Sequence, residues 1–534
     1  MVNSKAKPTR DEKILWIWVS LGVAATAAAL AFGTSRLPAA SLGKWVACVH
    51  HPEAEAARSA CAALLDTASG LPETWLEEPL RRDAAIAYEA GTYSRVISDV
   101  KRLEQLGRAN QFDLNDLGLS HYFTEDYITA GDYFQKAIAA GPPDAIIYEN
   151  LGNARQNLND FQGAANAFRK SVELAPNDPG YNHDLATAYF DLRQYDEALA
   201  AFDATLKLEP KRLSARVDRG WTLLNLNRPT EALADFNLYL KDGGDTAYGY
   251  EGMARAELDL GNWQKAIAAA DKSLAANRKF VWPHYFRASA LWSLDRLEEA
   301  RKSYNDFLVL RPDDIDGLIE RGQVLWNLQL EAEAYADLDR AVSLYPNDLR
   351  SHLARGRVRS WSYLHAETIS DLSRVIEMSG DHLEALTLRG FAYLLSGHLE
   401  SAMTDCKKAL ALDPKNARAL RCVGATQHRS GDLAAAMATL NSAIELAPLH
   451  PGGFYWRALL KSDMGDLSGA LMDIENALAN RPNFFDAVLV RGELLARLGR
   501  TAEAAAEYRN ALQHAPSQRR AEIERKLAEL QPAQ

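Results

Sequence analysis

The chain has 534 residues, and its 60 basic and 71 acidic side chains give it a net charge of −11. With 47% apolar and 25% charged residues, its composition is typical of a folded protein and excludes wholesale disorder. The net acidity argues against a nucleic-acid binder, which would need a basic surface. The four cysteines are too few for a disulfide-built scaffold, and because they form no C-x-x-C pair they are too scattered for a zinc site.

The first feature along the chain is an uncharged apolar segment at residues 14–32. A helix of that length spans about 28 Å, close to the hydrocarbon thickness of a bilayer. Most of the nearby positive charge precedes the segment, so residues 1–13 are expected in the cytoplasm and the rest of the chain outside. Two interpretations stay open: an uncleaved transmembrane anchor, or a signal peptide cleaved after Ala31.

Residues 33–76 read as a linker followed by a short helical segment that contains Cys48 and Cys61. In an oxidising compartment two such cysteines are expected to pair as a disulfide, with two buried thiols as the alternative. The neighbouring His50 and His51 have no third ligand in sequence, so we expect them to be solvent-exposed rather than metal-bound.

A period of 34 residues organises the rest of the chain. Residues 77–518 divide into thirteen such units, marked by proline at position 32 in nine of them: Pro142, Pro176, Pro210, Pro312, Pro346, Pro414, Pro448, Pro482 and Pro516. Position 8 is Gly or Ala in every unit, and position 20 is Ala in all but two. Small residues there predict two helices that cross closely. Gly-Asp pairs at 131–132, 431–432 and 465–466 predict the turn between them.

The unit at residues 145–178 carries Leu151-Gly152, Ala164, Phe168 and Pro176, and it closely resembles the tetratricopeptide repeat. The resemblance extends over residues 77–518. It implies an all-α, right-handed α-solenoid superhelix of helix-turn-helix repeats with a concave groove. Residues 517–534 resemble a C-terminal capping helix and tail, which would cover the apolar face of the last repeat.

A coupling between two repeat positions suggests buried ion pairs. Position 7 is Arg in seven repeats, and in six of these position 23 is acidic. We therefore expect a partly buried bridge between the two helices of each such repeat. The predicted pairs are Arg219–Asp235, Arg321–Asp337, Arg355–Asp371, Arg389–Asp405, Arg457–Asp473 and Arg491–Glu507. Two further cysteines, Cys406 and Cys422, are expected to be buried thiols, with a disulfide as the alternative.

In the family the groove is lined by positions 2, 5, 9, 12 and 13 of the first helix. Here these positions supply aromatic and amide side chains suited to a protein or peptide partner: Trp221, Tyr248, Trp282, Tyr285, Trp292, Trp326, Trp361, Phe391, Asn153, Gln156 and Asn157. A basic stretch follows with Arg418, Arg421 and Arg429. The alternative is that the aromatic residues pack between repeats.

These features predict a non-enzymatic, membrane-anchored scaffold that binds a protein or peptide partner and helps to assemble an envelope complex. No motif for catalysis, a cofactor, a metal or nucleic acid is present in the sequence. The expected location is a bacterial inner membrane, with the repeats in the periplasm. Two alternatives remain: an exported redox or regulatory protein that uses Cys48 and Cys61, and a cytosol-facing protein resembling import receptors.

Overall fold

The computed structural model describes residues 39–51, 53–66, 72–513, 515 and 519–530. Within these ranges all regular structure is helical and no strand occurs. The predicted membrane-spanning segment 14–32 lies outside the described residues. None of the described helices combines the length and the apolar character needed to cross a bilayer. The chain separates into two compact units, which meet in sequence at Asn262 and Trp263.

Unit 1 extends to Asn262 and contains thirteen described α-helices. After the first two, each repeat consists of a first helix, termed the A helix, and a second, termed the B helix. The helices are α1 (Ala39–His50), α2 (Ala54–Leu65), α3 (Glu77–Glu89), α4 (Tyr93–Gln105), α5 (Gln111–Phe123), α6 (Tyr127–Ala140), α7 (Ala145–Asn157), α8 (Phe161–Leu174), α9 (Pro179–Asp191), α10 (Tyr195–Leu208), α11 (Leu213–Asn225), α12 (Pro229–Lys241) and α13 (Thr246–Asp259).

Unit 2 begins at Trp263 and continues the same alternation of A and B helices. Its helices are α14 (Trp263–Ala276), α15 (Trp282–Ser293), α16 (Leu297–Leu310), α17 (Ile315–Asn327), α18 (Glu331–Leu344), α19 (Leu349–Trp361), α20 (His365–Ser379), α21 (Leu383–Leu395), α22 (Leu399–Leu412), α23 (Ala417–Arg429), α24 (Leu433–Leu446), α25 (Pro451–Asp463), α26 (Leu467–Asn480), α27 (Phe485–Arg497), α28 (Thr501–Gln513) and α29 (Arg520–Glu529).

The small residue at position 8 allows the two helices of a repeat to approach closely. A Cβ atom added to Gly118 would lie 2.6 Å from the ring of Phe134, and one added to Gly492 would lie 2.7 Å from the ring of Tyr508. Both rings occupy position 24 of their repeats and are buried. The aromatic ring therefore fills the space that the missing side chain leaves, which keeps the helix pair densely packed.

The turn between the A and B helices has one conformation in all thirteen repeats. Position 15 has a positive φ throughout, in six repeats as glycine and in seven as another residue, from Glu125 to Tyr363. The Gly-Asp pairs at 431–432 and 465–466 lie at this turn, as predicted. The prediction for residues 131–132 is wrong, because Gly131 lies inside α6, where the chain is helical. The repeat stacking thus fixes the left-handed conformation even where no glycine is available.

Helical elements cover both ends of the described repeats. The predicted linker contains a helical hairpin, α1 and α2, and α2 packs against α3 of the first repeat. The Trp45 indole donates a hydrogen bond to the Trp75 carbonyl at 3.0 Å, which ties the hairpin to the start of the repeats. At the other end, Ile523 of α29 is buried in the apolar cluster of the last repeat. Both elements shield apolar surface that would otherwise face water.

Candidate functional site

The six expected Arg–carboxylate pairs all lie within ion-pair distance. The closest nitrogen–oxygen distances are 2.7 Å for Arg219–Asp235, 2.7 Å for Arg321–Asp337, 2.6 Å for Arg355–Asp371, 2.7 Å for Arg389–Asp405, 2.7 Å for Arg457–Asp473 and 2.7 Å for Arg491–Glu507. The five aspartates are buried. Hydrogen bonding to Asp235 raises the pKa of Arg219 further above its ordinary value. These pairs join the A and B helices of one repeat, so they are structural.

Each of these arginines but Arg491 has another contact that the sequence analysis missed. A second nitrogen donates to position 25 of the preceding B helix, so one guanidinium joins three helices. The acceptors are Asp203 for Arg219 (2.6 Å), Asn305 for Arg321 (2.8 Å), Asp339 for Arg355 (2.8 Å), Ser373 for Arg389 (2.9 Å) and Asn441 for Arg457 (2.8 Å). Arg287, which has no acidic partner in its own B helix, donates to Asp271 of the preceding one at 2.7 Å.

The cysteines form two pairs. Cys48 of α1 and Cys61 of α2 are disulfide-bonded, with Cα atoms 4.5 Å apart, and both are fully buried. Cys406 and Cys422 are also bonded, with Cα atoms 5.6 Å apart, although the sequence favoured separate thiols. Their positions, 24 and 6 of adjacent repeats, face each other across the repeat interface. Burial of Cys48 and Cys61 argues against redox chemistry, which needs an accessible sulfur atom.

The predicted groove residues of unit 1 mostly contact other parts of the same unit. The Trp221 ring lies 5.9 Å from the ring of Tyr248 and 5.7 Å from that of Phe236, so it packs between repeats. Gln156 donates to Asp191 at 3.0 Å, and Asn157 donates to the Tyr122 hydroxyl at 3.0 Å. Asn153 lies on the same helix and is half-buried. Gln156 and Asn157 are therefore engaged in contacts between repeats, although Asn157 is exposed.

At the start of unit 2 the aromatic side chains also serve packing. The rings of Trp282 and Tyr285 lie 5.6 Å and 5.3 Å from the buried Phe307 ring. The Tyr285 hydroxyl donates to Glu320 at 2.6 Å, and burial together with this carboxylate raises the pKa of Tyr285. Trp292 is partly exposed on the same A helix. The packing alternative therefore describes Trp282 and Tyr285 better than the groove interpretation.

Further along unit 2, aromatic side chains remain partly accessible to solvent. The Trp326 and Trp361 rings stack at 6.1 Å, and 44% of Trp361 is exposed. Phe391 stacks on Trp456 at 6.0 Å. Trp361, Phe391 and Trp456 line a cavity of about 230 Å³ between the A helices α19, α21, α23, α25 and α27. Of the aromatic and amide side chains predicted for the groove, Trp361 and Phe391 line this cavity.

A group of basic side chains also lines the cavity. It is lined by Arg418 and Arg421 of α23, by His450 and by Arg481, whereas Arg429 is not part of it. Burial lowers the pKa of Arg418, and burial with repulsion from Arg418 lowers the pKa of Arg421 to about 10. Loss of solvent contact and repulsion from three arginines lower the pKa of His450 to about 4, so this imidazole is neutral at pH 7.

One carboxylate, Asp486 of α27, lies on the opposite wall and is already engaged. It accepts a hydrogen bond from the Tyr363 hydroxyl at 2.7 Å, although the two residues are 123 positions apart in sequence. Arg519 lies 3.8 Å from the same carboxylate. Burial is the main cause that raises the pKa of Asp486. This contact joins the turn of one repeat to the A helix four repeats later.

No cluster of three or more potential metal ligands occurs among the described residues. His50, expected to be exposed, is half-buried, and its ring lies 5.7 Å from the Trp45 ring. His51 accepts a hydrogen bond from the Glu53 backbone at 3.2 Å. Neither imidazole therefore belongs to an evident metal site.

Three solved structures contain similar chains. Yeast Tom70 is 15% identical over 79% of this chain and 95% of its own, with a TM-score of 0.37, and the APC/C hetero-tetramer Cut9-Hcn1 is 15% identical over 83% of this chain and 93% of its own, with a TM-score of 0.43. PilW, a type IV pilus biogenesis factor, is 20% identical over 40% of this chain and 98% of its own, with a TM-score of 0.37. No curated protein matches the chain. Two sequence profiles, both described as tetratricopeptide repeat, match residues 183–247, 252–315, 287–349 and 455–519, and residues 145–178 and 383–416. Together they cover more than half of the sequence, and the second profile coincides with the 34-residue frame. The chain therefore belongs to the tetratricopeptide repeat family.

Proposed function

We propose that this chain is a non-enzymatic scaffold that binds a protein partner through the A helices of unit 2. The observation that carries this proposal is a set of ordered aromatic rings in and beside the cavity, of which Trp326, Trp361 and Phe391 are partly exposed and Trp456 is buried. Trp361 is 44% exposed, and stacked pairs hold the Trp326, Phe391 and Trp456 rings in place. Rigid aromatic side chains favour protein binding because they bury a large apolar area at a small cost in conformational entropy.

The test is site-specific crosslinking in living cells. A photoreactive residue in place of Trp361 or Trp326 is expected to capture a discrete protein partner. Val309 is the matched control, because it is 79% exposed but lies on a B helix, α16, instead of on an A helix. Equal capture from Val309 and Trp361, or no capture from either tryptophan position, would contradict the proposal.

We further propose that residues 14–32 hold the protein in a bacterial inner membrane, with the repeats in the periplasm. The supporting features are the uncharged apolar segment, the basic residues before it and the two disulfide pairs, which are typical of an oxidising compartment. There the scaffold would assist the assembly of an envelope complex. Protease added to spheroplasts is expected to digest the repeats, whereas a cytosol-facing receptor would be protected.

A further inference from the structure

The Arg421 guanidinium lies in the wall of the cavity without an acidic partner. Only 9% of this residue is exposed, and among the described residues it forms no ion pair. One of its terminal nitrogens lies 2.5 Å from Nδ1 of His450, and its Nε atom has no hydrogen-bond partner. The same Nδ1 accepts a hydrogen bond from the Gly452 backbone at 3.1 Å. The imidazole is therefore a neutral acceptor and adds no negative charge.

Arg418, one turn earlier on α23, is also short of negative charge. Glu384 is the carboxylate that favours the charged form of Arg418, whereas burial and the charge of Arg357 disfavour it. Glu384 already accepts two hydrogen bonds from the Arg357 guanidinium, from Nε at 2.9 Å and from Nη2 at 3.0 Å. Asp486, the carboxylate that lines the cavity, is shared with Tyr363 and Arg519. The cavity thus carries more positive than negative charge.

Burying a guanidinium without a counter-ion is costly, and arginine does not relieve the cost by losing its proton at neutral pH. An incoming carboxylate would supply the missing charge and would accept two parallel hydrogen bonds. The walls beside the arginines are the rings of Phe391, Trp456 and Phe484, which suit a flat apolar group. The site therefore combines arginines that can bind an anion with an aromatic wall.

The volume limits what fits. About 230 Å³ is less than the roughly 300–1,000 Å³ of a typical small-molecule pocket, so one or two side chains fill it. No Asn or Gln side chain lines the cavity, so no side-chain amide can hydrogen-bond the peptide group next to a partner's chain terminus. These features favour side chains from within a polypeptide over a chain terminus.

We propose that this cavity binds an internal segment of a protein partner in which an Asp or Glu lies next to an aromatic residue. The carboxylate contacts Arg421 and Arg418, and the ring packs against the stacked Phe391 and Trp456 side chains that line the cavity. This proposal rests on the proposed scaffold function and specifies the chemistry of its ligand. Charge complementarity selects the acidic residue, and the aromatic walls select its neighbour.

The test uses the full-length protein in detergent and acetylated, amidated hexapeptides that place Asp or Glu beside Phe, Tyr or Trp in either order. At least one peptide is expected to bind with a Kd below about 1 mM. Replacing its acid by the corresponding amide, or changing Arg421→Gln in the protein, should weaken binding at least about tenfold. With Arg421→Gln protein, acid and amide peptides should bind alike.

The matched control is Arg429→Gln, an exposed arginine on the same helix that does not line the cavity, and it should leave peptide binding unchanged. Thermal unfolding checks the fold: Arg421→Gln should be at least as stable as wild type, because it removes an uncompensated buried charge. The proposal is overturned if no peptide of the set binds, if acid and amide peptides bind wild type equally, or if phenylacetate binds more tightly than every peptide. Crosslinks from Trp326 that persist with Arg421→Gln would overturn this site alone and leave the scaffold function standing.

Discussion

Units 1 and 2 both place like charges together on their A helices, but with opposite sign. In unit 1, Glu149 of α7 lies beside Asp184 of α9, and burial with repulsion from Asp184 raises the pKa of Glu149 to about 7. In unit 2, Arg418 and Arg421 share one cavity wall. A carboxyl group can take up a proton near neutral pH and relieve the repulsion, whereas a guanidinium cannot give one up. Only the basic cluster therefore needs an anion from outside.

The units also differ in how their repeats are held. Of the six Arg–carboxylate pairs, unit 1 contains only Arg219–Asp235, and unit 2 contains the other five. In the unit 1 repeats that begin at residues 145 and 179, the same two positions carry no charge. Leu151 and Ala167 belong to one apolar cluster, whereas Leu185 and Ala201 belong to two neighbouring ones.

The largest effect is expected from breaking one of the pairs in unit 2. Asp337→Ala leaves Arg321 without its carboxylate and should lower the free energy of unfolding by about 3–5 kcal/mol. The double variant Arg321→Leu with Asp337→Ala should be clearly more stable than Asp337→Ala alone, because it removes the stranded charge. Urea unfolding followed by circular dichroism measures both, and equal losses would show that the charge pairing does not matter.

A smaller effect is expected from the acidic pair in unit 1. The pKa of Glu149 rises from 4.5 unfolded to about 7 folded, so its contribution to stability is present below pH 4.5 and is lost as the pH rises through 7. Glu149→Gln should therefore stabilise the protein at pH 8, by at most about 1 kcal/mol because the side chain is half-exposed, and should change little at pH 4. Glu197→Gln, an exposed site on α10, is the control for a general charge effect.

The smallest effect concerns His450 in unit 2. Its pKa falls from 6.5 unfolded to about 4 folded, so its contribution to stability is present above pH 6.5 and is lost as the pH falls through 4. His450→Asn keeps a capping acceptor for the Gly452 backbone but cannot titrate. As the pH falls from 7 to 4, this variant should lose less stability than wild type, by about 1 kcal/mol or less, as measured by thermal unfolding. An unchanged pH profile would mean that folding does not lower the pKa of His450.

The sequence carried enough information to place the repeats. The 34-residue period predicted helix pairs such as 145–157 and 161–174, because the small residues at positions 8 and 20 fix where two helices cross. The coupling of positions 7 and 23 predicted contacts across 16 residues. The same spacing of 16, counted from a B helix to the next A helix, relates Cys406 to Cys422 and Asp339 to Arg355. That signal could have identified both the second cysteine pair and the third helix that each arginine contacts.

The 34-residue period could not predict the cavity. Trp361 and Phe391 were predicted from groove positions, but Trp456 and His450 occupy positions 6 and 34 of their repeats, which the groove pattern does not include. The Tyr363–Asp486 hydrogen bond, across 123 residues, depends on the summed rotation of four repeats. A small rotation per repeat decides whether such distant turns meet, and no local pattern specifies it.

The arginines that join three helices also affect how unit 2 unfolds. In a linear array, each repeat is stabilised mainly by its immediate neighbours, so an end can fray while the middle persists. Arg355 changes this balance, because it donates both to Asp339 of the preceding repeat and to Asp371 of its own. If the preceding repeat unfolds, the half-buried Arg355 loses its contact with Asp339, which destabilises the repeat that contains Arg355. Unfolding of one repeat would therefore promote unfolding of the next. Unit 2 should therefore unfold cooperatively, as a single block.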